Sequence, residues 1–350
     1  MVQPGLTPGA SIAADAHFLH VVRRPSRTRL GVLRVYDFAG DIISIGRYHL
    51  SPQAPSAPCA VGLHRRQSGG RAMPFGDGFV GMALVLPHRS ALLSDEQFSL
   101  APYQVINRYA RGILEACKLV GLPAFYPGRD FITVNRRVLG LVSFEVDHTG
   151  ALLFEAIIAN RRDFSVLPDL LEAVDSDGVI KTEMLAPHDT TCLSQELGVH
   201  LTTAEVADLL RRGYEKQFDV GFGDHALTPL EDRAIEATAT HEFHDGRWLR
   251  QRVPRADLDQ HSCERVQLGM FEAHFSLEQN RFIKEVIFAG DFIANSASIA
   301  RLEHELRLCP AEWRAIDAVA SEIFAQPQHF ILGIGRTRVI ADIVCKGIVQ

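Results

Sequence analysis

The sequence predicts an α+β protein built on an antiparallel meander, with a small α+β unit after it. Three apolar runs, 131–134, 138–144 and 150–158, are separated only by short turns. Strands joined that closely pair antiparallel, because a parallel pair needs a crossover of a dozen residues or more. Helical spacing then takes over until Ser262, where a strand, strand, helix, helix pattern starts afresh. That restart divides the chain into residues 1–260 and 262–350, the second part near the lower end of independent domain sizes.

Composition narrows the function classes. A 350-residue chain with 47% hydrophobic and 22% charged residues is an ordinary globular protein. Its 36 basic residues are scattered among 42 acidic ones, for a net charge of -6, which argues against nucleic acid as a partner. Only five of the basic residues are lysines: Lys118, Lys181, Lys216, Lys284 and Lys346. The six cysteines, at 59, 117, 192, 263, 309 and 345, show neither a C-x-x-C pair nor a short Cys/His spacing. The pattern therefore indicates neither a zinc motif nor a disulfide framework, and suits a reduced cytoplasm. The first residues lack a signal-peptide pattern and no run of about 18 apolar residues occurs, so neither export nor a membrane is expected. His241 and His244, with Glu242 and Asp245, are read as a solvated turn rather than a metal set.

Residues 12–24 have helical spacing, and 31–38 and 41–46 alternate as strands. A Pro/Ser/Ala-rich loop over 51–58 leads to a strand at 60–64, and 79–86 is apolar enough for a buried strand. A helix over 102–120 places Cys117 in the core. The turn Asn135-Arg136-Arg137 separates the first two meander strands, and Gly140 interrupts the second. Helices follow over 166–174 and 203–218, the latter with Thr202 or Thr203 as cap and Glu205 in its first turn. Thr228-Pro229-Leu230-Glu231 opens another. In the C-terminal part, 268–277 and 282–288 read as strands, 290–292 as a turn, 298–308 and 310–325 as helices, and 339–344 closes the pattern.

The segment His64-Arg65-Arg66-Gln67-Ser68-Gly69-Gly70-Arg71-Ala72 carries most of the chemistry. Paired glycines let main-chain N–H groups approach a ligand, and arginine offers planar donors for carboxylate or phosphate. By composition alone this is either an anion-binding loop or a tight turn with solvated arginines.

Five further segments accompany it: Ser44-Ile-Gly-Arg-Tyr48, Tyr126-Pro-Gly-Arg-Asp130, Asn135-Arg-Arg-Val-Leu-Gly140, Thr149-Gly-Ala-Leu-Leu153 and Thr190-Thr-Cys-Leu-Ser-Gln-Glu-Leu-Gly198. In this order they resemble the lipoate:protein ligase family, within the biotin and lipoate ligase and octanoyltransferase superfamily. The segment 283–292, with 299–306 after it, resembles that family's accessory domain. The resemblance implies a mixed, mainly antiparallel sheet flanked by helices. It implies activation of lipoate or octanoate with ATP and Mg²⁺ to an acyl-adenylate. Transfer to a lysine of a lipoyl carrier domain follows, whether H-protein-like or from a dehydrogenase E2 component. Carried over by motif, Arg65, Arg66, Ser68, Gly69, Gly70, Arg71, Gly78, Gly140, Thr149 and Gly150 would line the substrate, and Asp130 would hold Mg²⁺.

The chain departs from the family at three places. The lysine expected just before Gly140 is replaced by Arg137, and no lysine lies between Lys118 and Lys181. The His-Asp expected after the glycine loop reads Phe75-Gly76, followed by Asp77 and Gly78, and the His-Gly before the third meander strand reads Thr149-Gly150. Arg137 keeps the charge but is larger, planar and permanently protonated, so it is the candidate catalytic cation. Two alternatives stay open: a catalytically silent binder of lipoate or of a lipoyl domain, and an octanoyltransferase using Cys192 as its nucleophile.

Overall fold

In the computed structural model, which describes residues 1–23, 31–53, 59–92, 99–243 and 246–349, one large sheet separates two apolar layers. The chain opens with β1 (Val2–Leu6) and α1 (Pro8–Val22), then β2 (Val32–Phe38), β3 (Asp41–Ile45), β4 (Gly62–Arg65), β5 (Met73–Gly76) and β6 (Phe79–Leu86). Helix α2 (Val105–Leu119) leads to β7 (Ala124–Phe125), β8 (Phe131–Val134), β9 (Arg137–Val146) and β10 (Leu152–Ala159). Helices α3 (Leu167–Val174), α4 (Leu193–Leu197), α5 (Thr203–Phe218) and α6 (Pro229–Thr238) follow. The last part comprises β11 (Gln260–Arg265), β12 (Met270–Glu278), β13 (Phe282–Gly290), β14 (Ile293–Ala294), α7 (Ser296–Glu305), α8 (Trp313–Phe324), β15 (Ile331–Leu332) and α9 (Val339–Val349).

The large sheet has seven strands in the order β1-β2-β6-β10-β9-β8-β7. The meander β8-β9-β10 is antiparallel as its short turns require, and the pair β1/β2 is parallel. Strands β6 and β10 are buried at every residue because both faces are covered, which makes their sequences apolar apart from Glu155 in β10. In β6, Val80, Met82, Leu84 and Leu86 pack in the layer of α2 and α5, while Phe79, Ala83 and Val85 pack toward α1. Thr202 caps α5 and Glu205 returns the bond to the Thr202 N–H, the reciprocal box its sequence announces.

A second, three-stranded sheet lies on the α1 side, ordered β4-β3-β5. Its centre, Ser44, pairs with His64 in parallel and with Met73 antiparallel. The loop 66–72 therefore leaves β4 and returns in β5 against the large sheet. Strands β11, β12 and β13 form a third sheet, whose core with α7, α8 and α9 includes Phe271, Phe275, Phe288, Ile316 and Ile340. This part is joined to the rest by apolar contact: Leu268, Ile293 and Phe330 belong to the layer of α2 and α5, and Phe330 stacks on Phe144 with ring centroids 5.3 Å apart.

Several elements differ from the sequence reading. Helix α1 begins at Pro8, capped by Thr7, four residues before the apolar spacing starts. Strands β1, β5 and β11 exist although their sequences lack a clear apolar alternation, and the closing segment from Val339 is a helix. Residues 54–58 of the Pro/Ser/Ala-rich loop lie outside the described residues, as do His244 and Asp245 of the supposed solvated turn.

Helices α2 and α5 touch through two glycines. A Cβ on Gly213 would lie 2.4 Å from the Gly112 carbonyl oxygen and 2.5 Å from the Ala116 nitrogen, both backbone atoms that cannot swing aside. Gly213→Ala is expected to destabilise the fold by about 1–3 kcal/mol through overpacking. Urea unfolding checks this, and an unchanged midpoint would show that the crossing is looser than described.

Candidate functional site

The two sheets enclose a narrow cavity between β3–β5 and the strands β9 and β10. It is lined by Tyr36, Ser44, His64, Arg66, Met73, Phe75, Leu141, Ser143, Glu155, Ala156 and Ile157. It leaves about 10 Å³ for the centre of a water molecule, room for about one. Arg66, the first residue of the loop 66–72, lines it, and the rest of the loop packs behind. Its tightness explains both glycines: a Cβ on Gly69 would lie 2.3 Å from the Phe292 carbonyl oxygen, and Gly70 has φ +88°. Gly46 is equally constrained, since its Cβ would come within 2.1 Å of the Gly70 oxygen.

All three arginines of the loop are buried, and their donors meet protein acceptors. Arg65 gathers the carbonyls of Arg47 and His49, each at 2.7 Å, those of Gly46 and Leu249 at 3.3 and 3.0 Å, and the Ser51 hydroxyl at 2.7 Å. Arg66 donates to the carbonyls of Ser44, Gly69 and Arg71 at 3.0, 2.6 and 2.8 Å. Burial lowers the pKa of both; the encircling oxygens keep them charged, as a guanidinium so solvated would be. Arg71 forms a buried ion pair with Asp130, at 2.6 and 3.2 Å, and donates to Glu183 and to the Leu268 carbonyl at 2.6 Å. Burial works against the Arg71 charge, but Asp130, Asp291 and Glu183 outweigh it and hold its pKa above the ordinary value.

The loop's amides are also engaged. Ser68 N–H donates to Glu155 Oε2 at 3.1 Å, Gly70 N–H to the Phe292 carbonyl at 2.7 Å, and Ala72 N–H to Thr182 Oγ1 at 3.1 Å. Ser143 Oγ donates to the Gly69 carbonyl at 2.8 Å. Beside the loop, Asp291 accepts from Thr182, from the amides of Glu183 and Met270, and faces His49 Nε2 at 3.2 Å. The C-terminal part thus sits directly on the glycines.

The remaining expected residues are spread out. Gly78, with φ +91°, turns β5 into β6, and its carbonyl accepts from the Asn160 and Arg161 amides. Gly140 sits where the β8/β9 register slips, and a Cβ there would meet Ile158 at 3.0 Å. Thr149 and Gly150 lie at the β9–β10 hairpin tip, where Thr149 bonds Asp147, about 30 Å along β9 from its first residue. Arg137 is that first residue. Asn135 and Arg136 both take positive φ, 50° and 66°, the pattern of a two-residue type I′ turn. The Arg137 guanidinium then pairs with Glu196 at 2.5 Å, and Glu196 also accepts from Thr191 and Asn135. Arg137 is 41% exposed and is not among the cavity-lining residues.

The arrangement leaves Asp130 poorly suited to hold a metal. Both its carboxylate oxygens are committed to Arg71, and Glu183 is turned onto Arg71, Arg129 and Arg265. Among the described residues Asp130 belongs to no group of three potential ligands. These residues do not fit a resident Mg²⁺. Cys192 is buried at the start of α4 and burial raises its thiol pKa, the opposite of an activated nucleophile.

Sequence reasoning missed Glu155, Ser143 and Asp291 as members of the site, and named His64 only as the first residue of the glycine-loop segment, without a role. A readable signal existed for Glu155: it is the one charged residue in the apolar run Leu152-Leu-Phe-Glu-Ala-Ile-Ile158. His64 is buried, and desolvation together with Arg66 and Arg65 pushes its pKa down to about 3, so it is neutral at pH 7. An unfolded chain binds that proton near the ordinary value, so stability is full above that value and falls as pH drops from about 6.5 toward 3. Between pH 7 and pH 5 this one residue is expected to cost about 2 kcal/mol. His64→Leu should flatten the acid limb of the stability curve by that amount, and an unaltered limb in urea titrations at the two pH values would refute it.

No protein-family model matches the chain, and no curated protein matches it by sequence. Solved structures do match. LipL1 of P. falciparum in complex with lipoate aligns over 100% of this chain and 99% of its own, with a TM-score of 0.69 at 14% identity. Ta0514 of T. acidophilum, a putative lipoate protein ligase with bound lipoic acid, covers 72% of this chain and 97% of its own, at TM-score 0.53 and 16% identity. Lipoate-protein ligase A bound with ATP covers 71% and 95%, at TM-score 0.52 and 16% identity. None of the described helices is long and apolar enough to cross a membrane. The two-sheet core with its C-terminal part has the fold of the lipoate-protein ligases.

Proposed function

We propose that this chain is a lipoate:protein ligase-like enzyme. It activates lipoate or octanoate with ATP to acyl-AMP, releasing pyrophosphate, and a carrier-domain lysine then attacks the acyl carbonyl, releasing AMP. The observation that carries the reading is the inter-sheet cavity lined by Arg66, Ser143 and Glu155, the last two bonded to the Gly69 carbonyl and the Ser68 amide, on a fold whose solved members include lipoate-bound and ATP-bound structures. Half of the cavity's lining is apolar, from Met73, Phe75, Leu141, Ala156 and Ile157, and half polar, the mixture that an acyl chain ending in a carboxylate or phosphate anhydride requires. A structure of an archaeal ligase with its E2 lipoyl domain, sharing this fold at a TM-score of 0.53, supports a lipoyl domain as partner. The C-terminal part, from about residue 262, is assigned as the accessory domain, and a soluble cytoplasmic location suits the reaction.

The reading places demands on the site. The cavity must widen, and Met73, unbranched and adaptable, stands on its wall. The Gly70 amide must exchange the Phe292 carbonyl for the ligand. Arg65, Arg66 and Arg71 act on the ligand by holding the loop, since their own donors are already satisfied. Arg137 reaches a substrate only by leaving Glu196.

That last point favours a second reading, a lipoate or lipoyl-domain binder without turnover. It rests on the Arg137–Glu196 pair and on the Glu155 carboxylate inside the cavity, which repels a second carboxylate. Two measurements separate the readings. Incubation with ATP, lipoate and an apo lipoyl domain is expected to add a lipoyl mass to the domain. Binding of lipoate by calorimetry, with no pyrophosphate exchange into ATP and no mass gain, would establish the silent reading instead. For the enzyme, Arg137→Ala is expected to lower the transfer rate by about 10²–10³-fold, the loss of one transition-state donor. A rate within twofold of the parent would remove Arg137 from the mechanism.

A further inference from the structure

The outer face of β11 and β12 carries a polar set that takes no part in the cavity. The two strands are antiparallel with His261 directly opposite His274, and Glu272 lies two residues before His274. Because side chains alternate, Phe271, Ala273 and Phe275 enter the core under the C-terminal helices, and Glu272 and His274 share the other face with His261. The Nε2 atoms of both histidines lie 3.1 Å from one and the same oxygen, Glu272 Oε2. The two imidazoles are 4.4 Å apart by centroid, and the three donor atoms lie within 4.8 Å of one another. The Glu272 side chain is 3% exposed, while His261 and His274 remain open to solvent at 44% and 20%.

Hydrogen bonding alone explains this only in part. Each neutral imidazole carries one proton, so both rings would have to place it on Nε2 and aim it at a single oxygen, which leaves both Nδ1 atoms as acceptors. A cation at the centre accounts for the convergence directly. In a tetrahedral site with bonds of about 2.0–2.1 Å, neighbouring ligand atoms stand about 3.3 Å apart, close to the 3.1 Å from each nitrogen to the carboxylate oxygen. Two nitrogens and one carboxylate oxygen suit a borderline cation such as Zn²⁺, whereas Mg²⁺ prefers oxygen alone.

We propose that His261, Glu272 and His274 form a zinc-class metal site, with two imidazole nitrogens and one carboxylate oxygen as ligands and solvent in the fourth position. Its place in the fold gives it a structural effect. Strand β11 is the edge of its sheet, and the metal ties it to β12 across the ladder. The site is independent of the acyl-transfer reading, since it needs neither the cavity nor turnover.

The test uses the full, untagged chain, stripped with a chelator and titrated with ZnCl₂ by calorimetry and by thermal unfolding. One saturable site tighter than about 10 μM is expected, with a Tm rise of about 1–3 °C at tenfold excess. His261→Ala, at an exposed position where the fold survives, should weaken binding at least about tenfold by removing one ligand, as should His274→Ala. Absence of saturable uptake up to about 1 mM, which is beyond any specific zinc site, would overturn the proposal. So would affinity kept within about threefold in His261→Ala, or an equal Tm rise with MgCl₂.

Discussion

The ion pair between Arg71 and Asp130 is the joint on which the site depends. Arg71 ends the glycine loop, Asp130 opens β8 in the large sheet, and the same guanidinium reaches Glu183 and the Leu268 carbonyl. Four stretches distant in sequence therefore meet at one buried group. Such a pair is not a large net source of stability, because desolvation consumes most of the Coulomb gain. Its value is positional: with either partner removed, an uncompensated charge would remain inside, so alternative placements of the loop are disfavoured by about 3–5 kcal/mol. Arg65 and Arg66 extend the same logic with carbonyl oxygens in place of a carboxylate. A loop with these seven backbone carbonyls turned inward would otherwise be an expensive thing to bury.

Legibility in the sequence followed burial. Strands β6 and β8 coincide with their apolar runs, and α5 was bounded by its own capping residues. Strand β5, Met-Pro-Phe-Gly, was illegible because proline and glycine argue against a strand; the position is tolerated since β5 is an edge of the small sheet. Strand β1 forms only because β2 lies beside it in parallel, a tertiary fact with no local signature. Strand β11 reads Gln-His-Ser-Cys-Glu-Arg, polar enough to pass for a loop, and the histidine alignment across β11 and β12 exists only in the register.

The site was legible in part. The paired glycines announced a close approach, and the structure has one, although the Phe292 carbonyl is what approaches. Composition could not say that the arginines would turn inward, because a guanidinium serves carbonyls and phosphates with the same geometry. Arg137 illustrates the limit further. Its place at the start of β9 is set by the two-residue turn before it, but its partner Glu196 is 59 residues away in sequence. Thr149 and Gly150, by contrast, were grouped with it by motif order and stand at the other end of the strand.

The Gly70 amide has one more consequence. It is buried and bonded to the Phe292 carbonyl, so water reaches it when the C-terminal part lifts from the loop. The loop itself is too cross-tied to open separately. Deuterium uptake at that single proton therefore reads the free energy of uncovering directly, turning a structural hydrogen bond into a local gauge of how often the glycine wall is exposed.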